Sequence, residues 1–209
     1  MSTISSESVL NENYEMSSHE TACKIMGRNF FGIEAAAKHF GVNPTTRQFA
    51  ALAQIPFSEK TLNACKDSHV LVAVFPLSIA NIYGTVQKLD LFHQEYNYEE
   101  AVFFQNKGEI GWQLVRKRPV NGSASKTWSE QQTLLSNDEE IPTARILIYT
   151  IIGHYLATKE RLFKENYIRC VDLESHFRIC VGVSLDKIHI RDCWDEDKYP
   201  TLRLATVMK

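Results

Sequence analysis

The sequence predicts an α+β fold, with short helices in its first half and, in its second, a strand, two helices and a run of strands. Three observations carry that expectation. Helix caps with Gly or Pro breaks divide residues 33–65 into short helices, a capping box stands at Thr127, and apolar and polar residues alternate in strand-length runs after Tyr167. The chain has 209 residues, 44% hydrophobic and 11% aromatic, which suffices for a substantial core. That length suits one domain, or one domain with a smaller helical extension.

Residues 1–20, rich in Ser, Glu and Asn, read as a flexible leader. Residues 21–107 read as a helical or mixed amino-terminal region. Ile33–Phe40 is a short helix stopped at Gly41, with Pro44 blocking its continuation. Thr45 or Thr46 caps the next helix, which carries Phe49, Leu52 and Ala53 on one face and closes at Pro56. Ser58 opens a third through Leu62 and Cys65. The run "HVLVAVF", His69–Phe75, is continuously apolar and rich in β-formers, as in a buried strand. Residues 76–105 carry weaker patterns, with a helical face over Tyr98–Phe104.

Residues 108–209 are patterned more clearly. Ile110–Lys117 alternates as a strand does, with Trp112 and Leu114 on one side and Gln113 and Val115 on the other. Thr127 and Glu130 stand at capping-box spacing, so a helix runs from there to about Leu135. Pro142 occupies the first turn of a longer helix through Tyr155, with Ala144, Ile148, Ile151, Ile152 and Tyr155 on one face. Its many β-branched residues mean that burial rather than propensity holds it. Tyr167–Val171, Phe177–Val183, Lys187–Asp192 and Leu202–Val207 then read as strands.

A formal charge of −2 offers nothing to nucleic acid or to an anionic membrane surface, so neither is expected as a partner. The run Arg116-Lys117-Arg118 reads as a solvated strand edge. The first residues lack the pattern of a signal peptide. No apolar stretch approaches the ~20 residues of a membrane span, and Ile146–Leu156 is too short. The five cysteines, Cys23, Cys65, Cys170, Cys180 and Cys193, are odd in number and scattered. They read as reduced thiols of a cytoplasmic protein, although Cys170, Cys180 and Cys193 could become neighbours in a sheet and form a disulfide.

Metal and catalytic motifs are sparse. The chain has no CxxC and no HExxH, and His176, Cys180, His189 and Cys193 would have to converge across strands to hold a metal. Asp192, Asp195, Glu196 and Asp197 in "DCWDEDK" suit calcium chemically, yet a solvated acidic loop is the preferred reading. No glycine-rich phosphate cradle and no nucleophile elbow is present, and His154 fits a satisfied core histidine. No cofactor and no metal is therefore expected, and the chain is not expected to be an enzyme.

Strand, two helices, then strands is the element order of a C-type lectin-like fold. The segments "GWQLVRK", "SKTWSEQQ", "ERLF", "YIRC", "VGV", "CWDEDK" and "LRLATVMK", taken in order over Gly108–Lys209, resemble uncharacterised bacterial proteins with a C-type lectin-like carboxyl domain. "MGRNFFGIEAAAKHFG" adds a weaker echo. Some proteins of that kind are variable proteins of diversity-generating retroelements, which mutate adenines while copying a template. The resemblance implies a fixed frame with scattered exposed positions that accept many side chains.

Ile179, Val181 and Val183 share one side of a strand, and Ile188 and Ile190 one side of the next. The opposite faces present Arg178, Cys180, His189 and Arg191, and Trp194 anchors the following turn. The ligand-binding positions implied are Cys180, His189, Arg191, Asp192, Cys193, Lys198, Tyr199, Pro200 and Thr201. An adenine-mutated asparagine codon reaches His, Arg, Asp, Cys, Tyr, Pro or Thr, but not Lys or Glu. Lys187, Glu196 and Lys198 would therefore be fixed by the template, and Arg203 departs from the Gly often found there. The expected function is a module binding an unknown protein or small ligand. The alternative is a metal-dependent hydrolase or nuclease using Glu174, Asp192, Asp195 and Asp197.

Overall fold

The computed structural model describes residues 16–93 and 98–209. The leader expected over residues 1–20 lies outside the described residues as far as Glu15. Its end is built into the fold instead: Ser17 exchanges backbone hydrogen bonds with Ile55 at 3.1 and 3.2 Å, and Ser18 caps helix α1, His19–Met26. Strand β1 (Phe30–Phe31) follows, then α2 (Ile33–Phe40), which buries Ile33, Ala36 and Phe40 along one stripe and stops at Gly41 as its spacing requires.

Helix α3, Thr46–Ala51, opens on a reciprocal capping box between Thr45 and Gln48. Its expected apolar face is not formed. Phe49 is 49% exposed, because the helix ends at Ala51 and only Leu52, beyond it, reaches the core. Helix α4 (Glu59–Cys65) begins at its Ser58 cap, and β2 (His69–Val74) is buried throughout. Helix α5, Ile79–Val86, was not legible as an element, although Ser78 and Asn81 cap one another's backbone. The helical face expected over Tyr98–Phe104 shrinks to one turn, α6, Val102–Gln105.

Strand β3 (Gly111–Arg116) leads to α7 (Trp128–Gln132), whose capping box joins Thr127 and Glu130 as expected, and to the short β4 (Glu139–Glu140). Helix α8, Ala144–Thr158, is capped by Thr143, so Pro142 stands just before the helix rather than inside its first turn. Strands β5 (Asn166–Glu174), β6 (Phe177–Ser184) and β7 (Lys187–Cys193) form an antiparallel meander. The last expected strand is two: β8 (Leu202–Leu204) and β9 (Val207–Met208).

These strands make a mixed α+β architecture with two sheets. One has the order β1-β2-β3-β9-β4, the other β7-β6-β5-β8. The strand at Gly111–Arg116 does meet the carboxyl end, with Leu114 opposite Met208 and Val115 opposite Val207 in antiparallel register. Strand β8 instead joins the second sheet, parallel to β5. The chain crosses at Ala205-Thr206, where Thr206 accepts from the Arg116 amide at 2.9 Å. The first sheet draws β1 and β2 from before residue 108 and β3, β9 and β4 from after it.

Helix α8 corrects the expectation of a single apolar face. Residues Ala144 to His154 are all buried, because α8 lies between the sheets, against β1 and β2 on one side and β5 and β6 on the other. A helix surrounded by apolar neighbours is apolar all round. The basic run after β3 is also not simply solvated. Arg116 pairs with Glu139 at 3.2 Å and Lys117 with Glu160 at 2.8 Å, while Lys117 also donates to Asn29 at 3.0 Å. No helix among the described residues is long and apolar enough to cross a membrane.

Candidate functional site

The meander places one face of β6 and β7 on the core and turns the other outward. Ile179, Val181, Val183, Ile188 and Ile190 are buried on the inner face, as the alternation requires. The outer face carries Arg178, Cys180 and Gly182 opposite Cys193, Arg191 and His189. It is not the open surface expected, since Arg178 and Cys180 are 7% and 1% exposed. Residues 194–201, which follow β7, fold back across them.

Three devices fix that loop. The first is a disulfide between Cys180 and Cys193, which sit diagonally on the paired strands with Cα atoms 6.4 Å apart. These two are therefore not the reduced thiols that their scatter suggested; Cys23, Cys65 and Cys170 are free. The second is Arg169 of β5, fully buried, which donates to the carbonyls of Trp194 at 2.9 Å and Asp197 at 2.7 Å. It also donates to Lys126 O and Gln131 Oε1 at 2.9 and 3.0 Å, tying the loop to the approach of α7.

Arg178 adds a third hold, forking Asp195 through Nε at 2.7 Å and Nη2 at 3.2 Å while lying 3.6 Å over the Trp128 ring. Trp194 is not the buried anchor expected. It is 54% exposed and leans on Phe177, because arginine hydrogen bonds to the loop backbone, rather than an apolar plug, hold this turn.

Between the outer face and the loop lies a cavity of about 410 Å³. Cys180, Arg191, Asp192, Cys193, Tyr199, Pro200 and Thr201 all line it, so most of the positions read from the sequence come together. His189 and Lys198 do not. His189 stacks on His93 with ring centroids 4.6 Å apart, and Lys198 reaches Glu130 at 3.4 Å. Burial lowers the His189 pKa, and the neighbouring His93 and Arg191 lower it further.

Tyr167, Asp197 and Leu202 complete the wall; none was among the ligand-binding positions, although Asp197 belonged to the acidic set of the alternative reading. The signal for Tyr167 lay in Gly182, directly opposite it, where a β-carbon would come within 2.5 Å of the ring. Arg191 lies 5.0 Å from the centroid of the same ring. Asp192 accepts from the Tyr98 hydroxyl at 2.6 Å, and burial with that carboxylate pushes the phenol well above its ordinary range. Asp197 accepts from the Trp194 amide at 2.8 Å.

The cavity thus offers aromatic and guanidinium faces, two carboxylates and a disulfide. Among the described residues no three His, Cys, Asp or Glu side chains are grouped to hold a metal ion. Of the acidic set considered for metal-dependent hydrolysis, Asp192, Asp195 and Asp197 each make protein contacts that hold the loop or its flank. Comparison of the chain with protein-family models, curated proteins and solved structures finds no match.

Proposed function

We propose that the chain is a ligand- or protein-binding module that recognises its partner at the cavity between the β6–β7 face and residues 194–201. The observation that carries this reading is the convergence of Arg191, Asp192, Tyr199, Pro200 and Thr201 on one cavity beside the Cys180–Cys193 bridge. Arg191 and Tyr199 are exposed on a frame that Arg169 and the disulfide hold in place, so little conformational freedom is lost on binding. Tyrosine and arginine are also residue types that dominate interface energies.

The scaffold is C-type lectin-like in this reading, and related to retroelement-diversified variable proteins. Its support is the pairing of β3 with β9 around two helices and a strand meander. A cytoplasmic location rests on the scattered cysteines, and the Cys180–Cys193 bridge weakens that ground because disulfides persist in oxidising compartments. The test is capture of a partner from the native host by the wild type and by the double variant Arg191→Ala, Tyr199→Ala, with melting curves for both. Surface changes shift stability within about 0.5 kcal/mol, so the variant should melt like the wild type and capture nothing. Unchanged capture by a stable variant would refute the binding face.

A further inference from the structure

A second cavity, of about 750 Å³, opens between strands β3 and β4, the start of α8 and the bulged end of β5. Arg145, the second residue of α8, lines it while remaining only 9% exposed. Among the described residues its guanidinium has one hydrogen-bond acceptor, the Phe75 carbonyl at 3.3 Å, and no carboxylate pairs with it directly. Gly108 closes against another side of the group, since a β-carbon there would collide with it. The remaining donors have no protein acceptor among the described residues. A buried cation that no carboxylate hydrogen-bonds is costly, and a ligand anion would offset that cost.

The neighbouring backbone points the same way. The Ala144 amide is taken by Asp172 at 2.6 Å and the Ile146 amide by Thr143 at 3.2 Å, while the Arg145 amide between them has no acceptor among the described residues. This is the positive end of a 15-residue helix. Burial draws the guanidinium below its ordinary range, with Tyr149 and Asp172 only partly opposing.

We propose that this cavity is a binding site for a small organic monocarboxylate, whose carboxylate meets Arg145 and whose apolar body lies along Val74, Phe103, Ile110, Ile146 and Val171. The planar fork of an arginine matches a carboxylate in two parallel hydrogen bonds. The apolar walls select a hydrocarbon body, and the volume falls in the range of small-molecule sites. Glu109, Glu139, Glu140 and Asp172 also line the cavity, against Lys209 as the only other cation there among the described residues. That net negative lining disfavours a multiply charged phosphate more strongly than a singly charged carboxylate.

The test titrates benzoate, butyrate and inorganic phosphate into the full ¹⁵N-labelled chain. Benzoate should shift the amide signals of Gly108, Arg145, Ile146 and Val171 saturably, with butyrate weaker and phosphate not saturating. Arg145→Gln should raise the benzoate Kd by about tenfold or more, equivalent to 1.4 kcal/mol. Val171→Trp, at an exposed position on the wall, should do the same by filling the space while leaving the guanidinium intact. Absence of saturable shifts, phosphate binding more tightly than benzoate, or undiminished benzoate affinity in either folded variant overturns the proposal. Should Arg145→Gln fail to fold, Val171→Trp decides it alone.

Discussion

The Arg169 guanidinium reaches from the middle of β5 to the Asp197 carbonyl, 2.7 Å away, and so carries the wall of the cavity on a buried charge. Hydrogen bonds from charged groups contribute ~1.5–3 kcal/mol each, and this group makes several. Arg169→Met keeps the length of the stem and removes every donor. Its unfolding free energy, from urea titration, should fall by at least about 3 kcal/mol. Partner capture at Tyr199 should fall with it. A loss below about 1 kcal/mol would mean that the loop holds its shape without this arginine.

The disulfide predicts a thiol count and a stability change. Denatured without reductant, the chain should show three free thiols, from Cys23, Cys65 and Cys170, and five after reduction. The bridge closes residues 13 apart, for which loop-entropy reasoning gives about 3 kcal/mol. The double variant Cys180→Ser, Cys193→Ser should lose roughly that much in denaturant titrations, and added reductant should shift the wild type alone.

His69 makes the fold sensitive to mild acid. Burial lowers its pKa from 6.5 to about 4, with Arg116 adding to the effect, and its Nδ1 is held by Ser68 Oγ at 2.8 Å. In the unfolded chain the ring takes up a proton below 6.5, whereas in the folded chain it stays neutral until about 4. Stability is therefore lost as pH falls from 6.5 towards 4 and levels off below it. One pKa unit corresponds to about 1.4 kcal/mol, so the contribution is on the order of 3 kcal/mol. His154 and His189, also lowered, act in the same direction. Asp172, whose burial raises its pKa, acts oppositely on protonation. In His69→Asn, which keeps a polar atom near Nδ1, the midpoint denaturant concentration should change less between pH 7 and pH 4.5.

Much of this fold was legible because caps and periodicity are local. Ser58, Thr45 and Thr127 each cap the helix that their spacing marks, and the alternation of Ile179, Val181 and Val183 gave their inward face correctly. What was not legible depends on contacts between distant segments. Nothing local says that α8 will be enclosed by two sheets, or that the chain after Leu204 will leave one sheet for the other. At the site, the alternation separates inner from outer residues but cannot tell an outer face that stays open from one that residues 194–201 cover. Arg178 and Cys180 were misplaced for that reason, and Trp194 because arginine hydrogen bonds to the loop backbone, rather than an apolar plug, hold its turn. Arg169 and Arg145 were missed because a lone arginine in a strand or helix reads as a surface residue until its burial is known.

Gly182 offers the sharpest separation of site from scaffold. It stands in β6 opposite Tyr167, whose ring covers it at a distance that leaves no room for a β-carbon. Gly182→Ala must therefore displace the ring, and overpacking of this kind costs ~1–3 kcal/mol. The ring also carries the Arg191 guanidinium 5.0 Å from its centroid, and both line the cavity, so the displacement moves two of its walls. Partner capture should be lost in Gly182→Ala although the chain stays folded. Tyr167→Ala in the same background removes the clash and should restore the melting temperature without restoring capture. Normal capture by Gly182→Ala, with the melting temperature lowered as expected, would show that binding does not use this wall of the cavity.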